Sequence, residues 1–150
     1  MSNKLTWKYS KGMVTDQEIS KVENQLKIKF PKDYIEVVES NDGAYPSLHA
    51  FSMNSQEEML NNLLSFSEAP YINILTTFEN MSDRLVDGII PFGEDAGGNL
   101  ICFDYRSSEV PTVVFWDHEI AGGGELEKAI TSICNNFTEF LNMLHEFVEE

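Results

Sequence analysis

Carboxylates are the side chains whose number and spacing in this sequence could do chemistry. The glycine-rich stretch of residues 93–99 carries Glu94 and Asp95, and two later apolar runs end in Asp104 and Asp117. A glycine-rich loop can bind phosphate through its backbone amides, but that role also needs positive charge. Because this loop holds two carboxylates and no lysine, the sequence does not favour a phosphate site.

A metal site and a nucleophilic site are equally poorly supported. Asp117, His118 and Glu119 are three possible ligands in a row, yet neighbouring residues at the end of a strand point in different directions and rarely meet on one ion. Cys102 and Cys134 lie in apolar segments, and no serine stands in a Gly-x-Ser-x-Gly turn. We therefore expect no metal, no cofactor and no catalytic nucleophile.

A hydrolase built on two carboxylates stays open as an alternative. Asp104 and Asp117 follow neighbouring strands, and two such strand ends can bring acids close together. With 25 acidic residues in the chain, however, a pair of this kind is expected by chance. The sequence favours a protein that is not an enzyme.

Charge is the strongest compositional signal. The 150 residues include 25 acidic and 10 basic side chains, for a net charge of -15. Residues 1–40 hold seven lysines and six acids, whereas the other 110 residues hold three basic and nineteen acidic residues, a net charge of 3 minus 19, or -16. Such a surface repels nucleic acids and membranes and attracts basic proteins. The alternative is that acidity only keeps the protein soluble.

Length and apolar content predict one compact domain, residues 15–150, preceded by an arm, residues 1–14. No apolar run reaches the length of a membrane span, and the first residues lack the apolar core of a signal peptide. We expect a cytoplasmic protein with reduced cysteines.

Helix signals dominate the first half of the chain. Thr15 and Glu18 form a capping box that predicts a helix start. Pro31 should begin a second helix that runs to about Ser40 and stops at Asn41-Asp42-Gly43. Further along, the patterns predict a strand over residues 44–53 and a short helix from Asn54 or Ser55 to Leu64. Residues 65–87 are compatible with a short strand or a helix, and we favour a helix over residues 72–81.

The second half predicts a sheet and a final helix. Three apolar runs between residues 88 and 117 are spaced like an antiparallel meander. Residues 118–125 include three consecutive glycines and are predicted to form a flexible link. A 3.6-residue period from Leu126 to Phe147 predicts a helix, which begins near Asn135 if the capping signal there is used.

The order of these signals resembles the SUKH superfamily, which includes the yeast cell-wall assembly regulator and many bacterial relatives. The resemblance covers residues 15–145 or so. It rests on Ile19 with Glu23 and Leu26, Phe30-Pro31 with Asp33-Tyr34, Asn41-Asp42-Gly43, Ile89-Ile90-Pro91-Phe92-Gly93, Gly97-Gly98-Asn99, Phe103-Asp104, Val113 with Trp116-Asp117, and Phe137 with Phe140-Leu141.

The resemblance implies an α+β fold in which two N-terminal helices and a C-terminal helix flank a mainly antiparallel sheet. It also implies an immunity protein that neutralises a polymorphic toxin, with a regulatory or scaffolding module for endogenous partners as the alternative. Because the chain has a net charge of -15, we expect the toxin to be cationic, such as a nuclease domain. We expect this protein to bind it as a monomer or a homodimer. The predicted contact residues are Asp42, Glu94, Asp95, Asp104, Asp117 and Glu119, although each could instead cap a turn or be solvated.

Overall fold

The computed structural model describes residues 5–67 and 73–146. The described part contains five helices and nine strands, and it confirms the predicted α+β class. The helices are α1 (Asp16–Leu26), α2 (Lys32–Val38), α3 (Ile74–Met81), α4 (His118–Gly122) and α5 (Phe137–Met143). The strands are β1 (Trp7–Lys8), β2 (Tyr45–Pro46), β3 (Ala50–Met53), β4 (Gln56–Met59), β5 (Asn62–Leu63), β6 (Ile89–Glu94), β7 (Leu100–Asp104), β8 (Thr112–Trp116) and β9 (Ile130–Cys134).

The central feature is an antiparallel sheet of five strands in the order β5-β6-β7-β8-β9. Its middle three strands are the meander that the sequence predicts, with Ile90 opposite Phe103 and Phe103 opposite Val113. Two further pairs, β1 with β2 and β3 with β4, lie outside this sheet.

Both faces of the middle three strands are covered, which explains why these strands are mostly apolar rather than alternating with polar residues. Successive side chains on a strand point to opposite faces. On β7, Ile101 and Phe103 pack in the larger core, where residues of α1, α2 and α5 join them. Leu100 and Cys102 point the other way, into a smaller core with Trp116 of β8.

The capping signals predicted at Thr15 and near Asn135 are confirmed. The Thr15 side chain accepts a hydrogen bond from the Glu18 N–H, and the Glu18 carboxylate accepts one from the Thr15 N–H, as a capping box requires. Asn136 caps α5 in the same local manner, through the Glu139 N–H. The second helix is shorter than predicted and begins at Lys32, with Pro31 at the capping position.

The predicted helix from Asn54 or Ser55 to Leu64 is wrong. Strands β3 and β4 form a hairpin there, and Asn54 and Ser55 form its turn with φ values of 50° and 66°. A two-residue turn with positive φ at both positions matches the twist of paired strands. The predicted single strand over residues 44–53 is accordingly two strands, β2 and β3.

The region after the meander also differs from the prediction. Residues 118–122 form a short helix rather than a flexible link, because the Asp117 carboxylate accepts hydrogen bonds from the Glu119 and Ile120 N–H groups. Residues 130–134 form strand β9 rather than a helix, because their backbone pairs in antiparallel fashion with β8. The last predicted apolar position, Phe147, lies outside the described residues.

The N-terminal residues follow the domain surface. Trp7 pairs with Pro46 and Lys8 with Tyr45, so that β1 extends alongside β2. The Lys11 N–H then donates to the Asp42 carbonyl at 2.7 Å. This bond joins the arm to the turn that follows α2.

Candidate functional site

Strand register decides which of the predicted carboxylates lie together. Glu94 pairs with Leu100, and Leu100 pairs with Trp116, so the end of β6, the start of β7 and the end of β8 are level. Glu94, Asp95 and Asp117 therefore lie at one end of the sheet. Asp104 pairs with Thr112 and lies at the opposite end.

Asp95 organises the turn between β6 and β7. Its Oδ1 accepts hydrogen bonds from the Gly97 N–H at 2.9 Å and the Asn99 N–H at 2.8 Å, while its Oδ2 accepts one from the Asn99 side-chain amide at 2.8 Å. Gly98 has a φ of 99°, a value that glycine adopts far more readily than other residues. The turn is thus held in one shape by the half-buried carboxylate of Asp95.

Asn99 connects this turn to α4. Its side-chain oxygen accepts a hydrogen bond from the His118 N–H at 3.0 Å, next to the Asp117 cap. Glu119 is exposed in the first turn of α4. The turn between β6 and β7 and the start of α4 consequently form one continuous surface.

Glu58 joins this group, and the sequence prediction missed it. Burial raises the pKa of Glu58, and the nearby negative charges of Asp95 and Asp117 raise it further. Glu58 reaches this position because residues 56–59 form strand β4, whereas the sequence analysis predicts a helix for that segment. Reading Asn54-Ser55 as a hairpin turn would have predicted the strand and placed Glu58 near the sheet.

Burial also raises the pKa of Glu94 above the usual range. The hydrogen bond with Asn62 lowers this pKa in part, and the negative charge of Asp95 raises it further. We call the surface formed by Glu58, Glu94, Asp95, Asp117 and Glu119 the acidic end. Among the described residues, no lysine, arginine or histidine forms a salt bridge with any of its members.

Asp104 lies elsewhere and is neutralised. Burial would raise its pKa, but hydrogen bonds and the positive charge of Arg106 outweigh burial and hold the pKa below its usual range. Arg106 donates to both Asp104 oxygens at 3.0 Å and also reaches Glu127 at 3.0 Å. This carboxylate therefore presents little free negative charge.

Asp42 is a buried structural acceptor. Its side chain is only 4% exposed, and it accepts hydrogen bonds from the Ser65 hydroxyl at 2.5 Å and the Phe66 N–H at 2.8 Å. Both oxygens are thus occupied inside the protein. We leave Asp42 and Asp104 out of the acidic end.

The hydrolase alternative built on Asp104 and Asp117 fails on geometry. Asp104 is level with Thr112, and Asp117 is five residues further along the chain, roughly 16 Å away at about 3.3 Å per residue. Carboxylate pairs in glycoside hydrolases lie about 5–9.5 Å apart. These two acids do not form such a pair.

Other site types find no support in the described residues. No three histidine, cysteine, aspartate or glutamate side chains there are grouped so that they could hold a metal ion. An open cleft of about 840 Å³ between the end of α1 and the β7–β8 loop is lined by charges of both signs, among them Glu23, Lys27, Lys29 and Arg106. No helix in the described ranges is long and apolar enough to span a membrane.

Comparison with known proteins identifies a protein family. A family model described as SMI1 / KNR4 family (SUKH-1) matches residues 13–143, which is most of the 150-residue chain and includes the whole acidic end. No curated protein matches the chain.

Proposed function

Because the chain belongs to the SMI1 / KNR4 family (SUKH-1), which includes immunity proteins, we propose that it is an immunity protein that binds a basic protein toxin. We further propose that the acidic end is the contact surface and that a nuclease domain is the toxin. Neutralisation in this proposal is by binding alone and needs no catalysis by this chain.

The observation that carries the proposal is the acidic end itself. Five carboxylates from β4, β6, the turn after β6, the residue after β8 and α4 gather on one surface, and none forms a salt bridge within the described residues. Burial raises the pKa of Glu58 and of Glu94, and the negative charges of neighbouring acids raise both pKa values further. A partner with positive charge would relieve this repulsion.

The toxin class follows from the same electrostatics. A nuclease must present positive charge to the phosphate backbone of its substrate. An inhibitor with a concentrated negative surface is steered towards that groove and, once bound, excludes the nucleic acid. The cytoplasm, where a nuclease toxin would meet its substrate, is the compartment in which we place this complex.

A charge-reversal experiment tests the acidic end. Glu58→Lys combined with Glu119→Lys changes the net charge by +4 without removing the Asp95 or Asp117 hydrogen bonds that shape the surface. The matched control, Glu36→Lys with Glu109→Lys, makes the same net change at exposed positions of α2 and the β7–β8 loop.

The probe is the toxin domain encoded beside this gene, in a catalytically inactive form. We expect the Glu58/Glu119 variant to bind at least about tenfold more weakly and with a shallower salt dependence, and the control to bind nearly as wild type. Equal weakening in both variants would show that only net charge matters. No complex at all, together with no rescue of growth on co-expression, would favour the regulatory alternative.

A further inference from the structure

We propose that the outer edge of β9 receives a β-strand from the basic partner, so that the five-stranded sheet continues into the bound protein. This inference rests on the proposed function. It adds the mode of recognition, which is backbone pairing next to the acidic end.

Strand β9 is the last strand of the sheet, and within the described residues no strand pairs with its outer side. The Asp117 N–H donates to the Ala129 carbonyl at 2.9 Å, and Trp116 is opposite Ile130. In an antiparallel ladder the backbone groups alternate between the two sides. Thr131 therefore turns its backbone groups towards β8, whereas Ser132 turns its N–H and carbonyl groups outwards.

Ser132 is accessible to a partner. Its side chain is exposed, and the irregularity in the β8–β9 pairing comes only after it, at Ile133. The Ile130 N–H also faces outwards but already donates to the Glu127 carbonyl at 3.2 Å. An added strand would thus bond the Ser132 N–H, the Ser132 carbonyl and the Ile130 carbonyl.

Two other strand edges, those of β5 and β4, are protected in ways that natural sheets use. Strand β5 at the opposite edge is two residues long, and the Leu63 N–H donates to the Ala44 carbonyl at 2.9 Å. Strand β4 carries Glu57 and Glu58. Strand β9 contains no charged residue and no proline across its five positions.

Charge determines which strand would fit. The start of β9 pairs with the end of β8 beside Asp117 of the acidic end, and Glu139 lies beyond its far end. Glu125 and Glu127, which precede β9, form salt bridges with Lys128 and Arg106. Since Asp117 and Glu139 form no salt bridge within the described residues, a basic strand is complementary to this edge, whereas a second copy, whose net charge is also -15, is repelled.

The test uses wild-type protein and two variants with the inactive toxin domain encoded beside this gene as the probe. Amide hydrogen exchange should show that the Ser132 N–H is protected only in the complex, whereas the Thr131 N–H is already protected in the free protein. Ser132→Pro removes the outward donor without removing a bond to β8, and Ser132→Ala keeps the donor.

We expect Ser132→Pro to weaken binding at least about tenfold and Ser132→Ala to bind within about twofold of wild type. Unchanged Ser132 exchange in a complex that does form would overturn this inference and leave the proposed function intact. Absence of any complex would overturn both. If Ser132→Pro does not fold, amide exchange at Ser132 of the wild-type protein tests the inference instead. Dimerisation of the free protein through Ser132 would show that a second copy, rather than the basic partner, pairs with the edge of β9, and would overturn the inference.

Discussion

At the scale of residues, the carboxylates of this protein occupy three different kinds of environment. Asp42 is buried and accepts two hydrogen bonds, Asp104 is paired with Arg106, and Glu58 lies among other negative charges without a salt bridge in the described structure. Only the third arrangement leaves charge for a partner to use. Net charge therefore overstates the number of acids that are free to bind.

One buried polar atom in the described structure has no partner. The Tyr34 hydroxyl is fully buried among aromatic rings and forms no hydrogen bond there. A buried hydroxyl without a partner lowers stability. We predict that Tyr34→Phe leaves the free energy of unfolding unchanged or raises it by up to about 1 kcal/mol, measured by urea denaturation.

The matched control is Tyr105→Phe. The Tyr105 hydroxyl donates to the Lys29 carbonyl at 2.8 Å, so its removal should lower the free energy of unfolding by about 0.5–1.5 kcal/mol. A loss above about 1 kcal/mol in Tyr34→Phe would show that the hydroxyl has a partner, such as a buried water.

At the scale of elements, close packing of β6 against β5 and against Leu60, two residues before β5, positions the acidic end. Gly93 lies on β6 beside the irregularity in its pairing with β7 and is paired with Leu63. A Cβ atom on Gly93 would lie 2.6 Å from the Cδ1 atom of Leu60, which is fully buried. Glycine is required here for space.

Gly93→Ala should therefore lower the free energy of unfolding by about 1–3 kcal/mol, because Leu60 has to move within a packed core. The control is Gly97→Ala, where the nearest atom to the new Cβ is 3.7 Å away. We expect that variant to stay within about 0.5 kcal/mol of wild type. Equal stability of the two variants in urea denaturation would contradict the packing that we describe.

At the scale of the whole molecule, the acidic end links stability to pH. Glu58 and Glu94 have raised pKa values because of burial, with added repulsion from nearby carboxylates. The folded protein then keeps protons at pH values where the unfolded chain has lost them. Above the ordinary glutamate pKa of 4.5, these two groups make the free energy of unfolding fall as the pH rises.

We predict that Glu58→Gln with Glu94→Gln is more stable than wild type at pH 7, and that the difference disappears at about pH 4. Denaturation in urea at both pH values measures this. Asp104→Asn is the control of opposite sign, since the depressed pKa of Asp104 stabilises the fold at neutral pH. A stability difference between the glutamine variant and wild type that is independent of pH would contradict the link.

The acidic end also shows how far the sequence alone could lead. The sequence predicts candidate contact acids from their place after apolar runs, and the register brings Glu94, Asp95 and Asp117 to one end of the sheet but Asp104 to the other. The sequence does not predict Glu58 as a candidate, because the pattern of its segment favours a helix. As a contact surface, this group remains a prediction.

Local sequence patterns are enough to predict the α+β class, the capping signals at Thr15 and near Asn135, and the three-strand meander. These features depend on hydrogen bonds and side-chain patterns within a few residues. The pairing of residues 130–134 with β8, the burial of Asp42 and the neutralisation of Asp104 become visible only in the folded protein. Pairing and burial depend on residues distant in sequence, and no local pattern specifies which distant partner a strand or a carboxylate will meet.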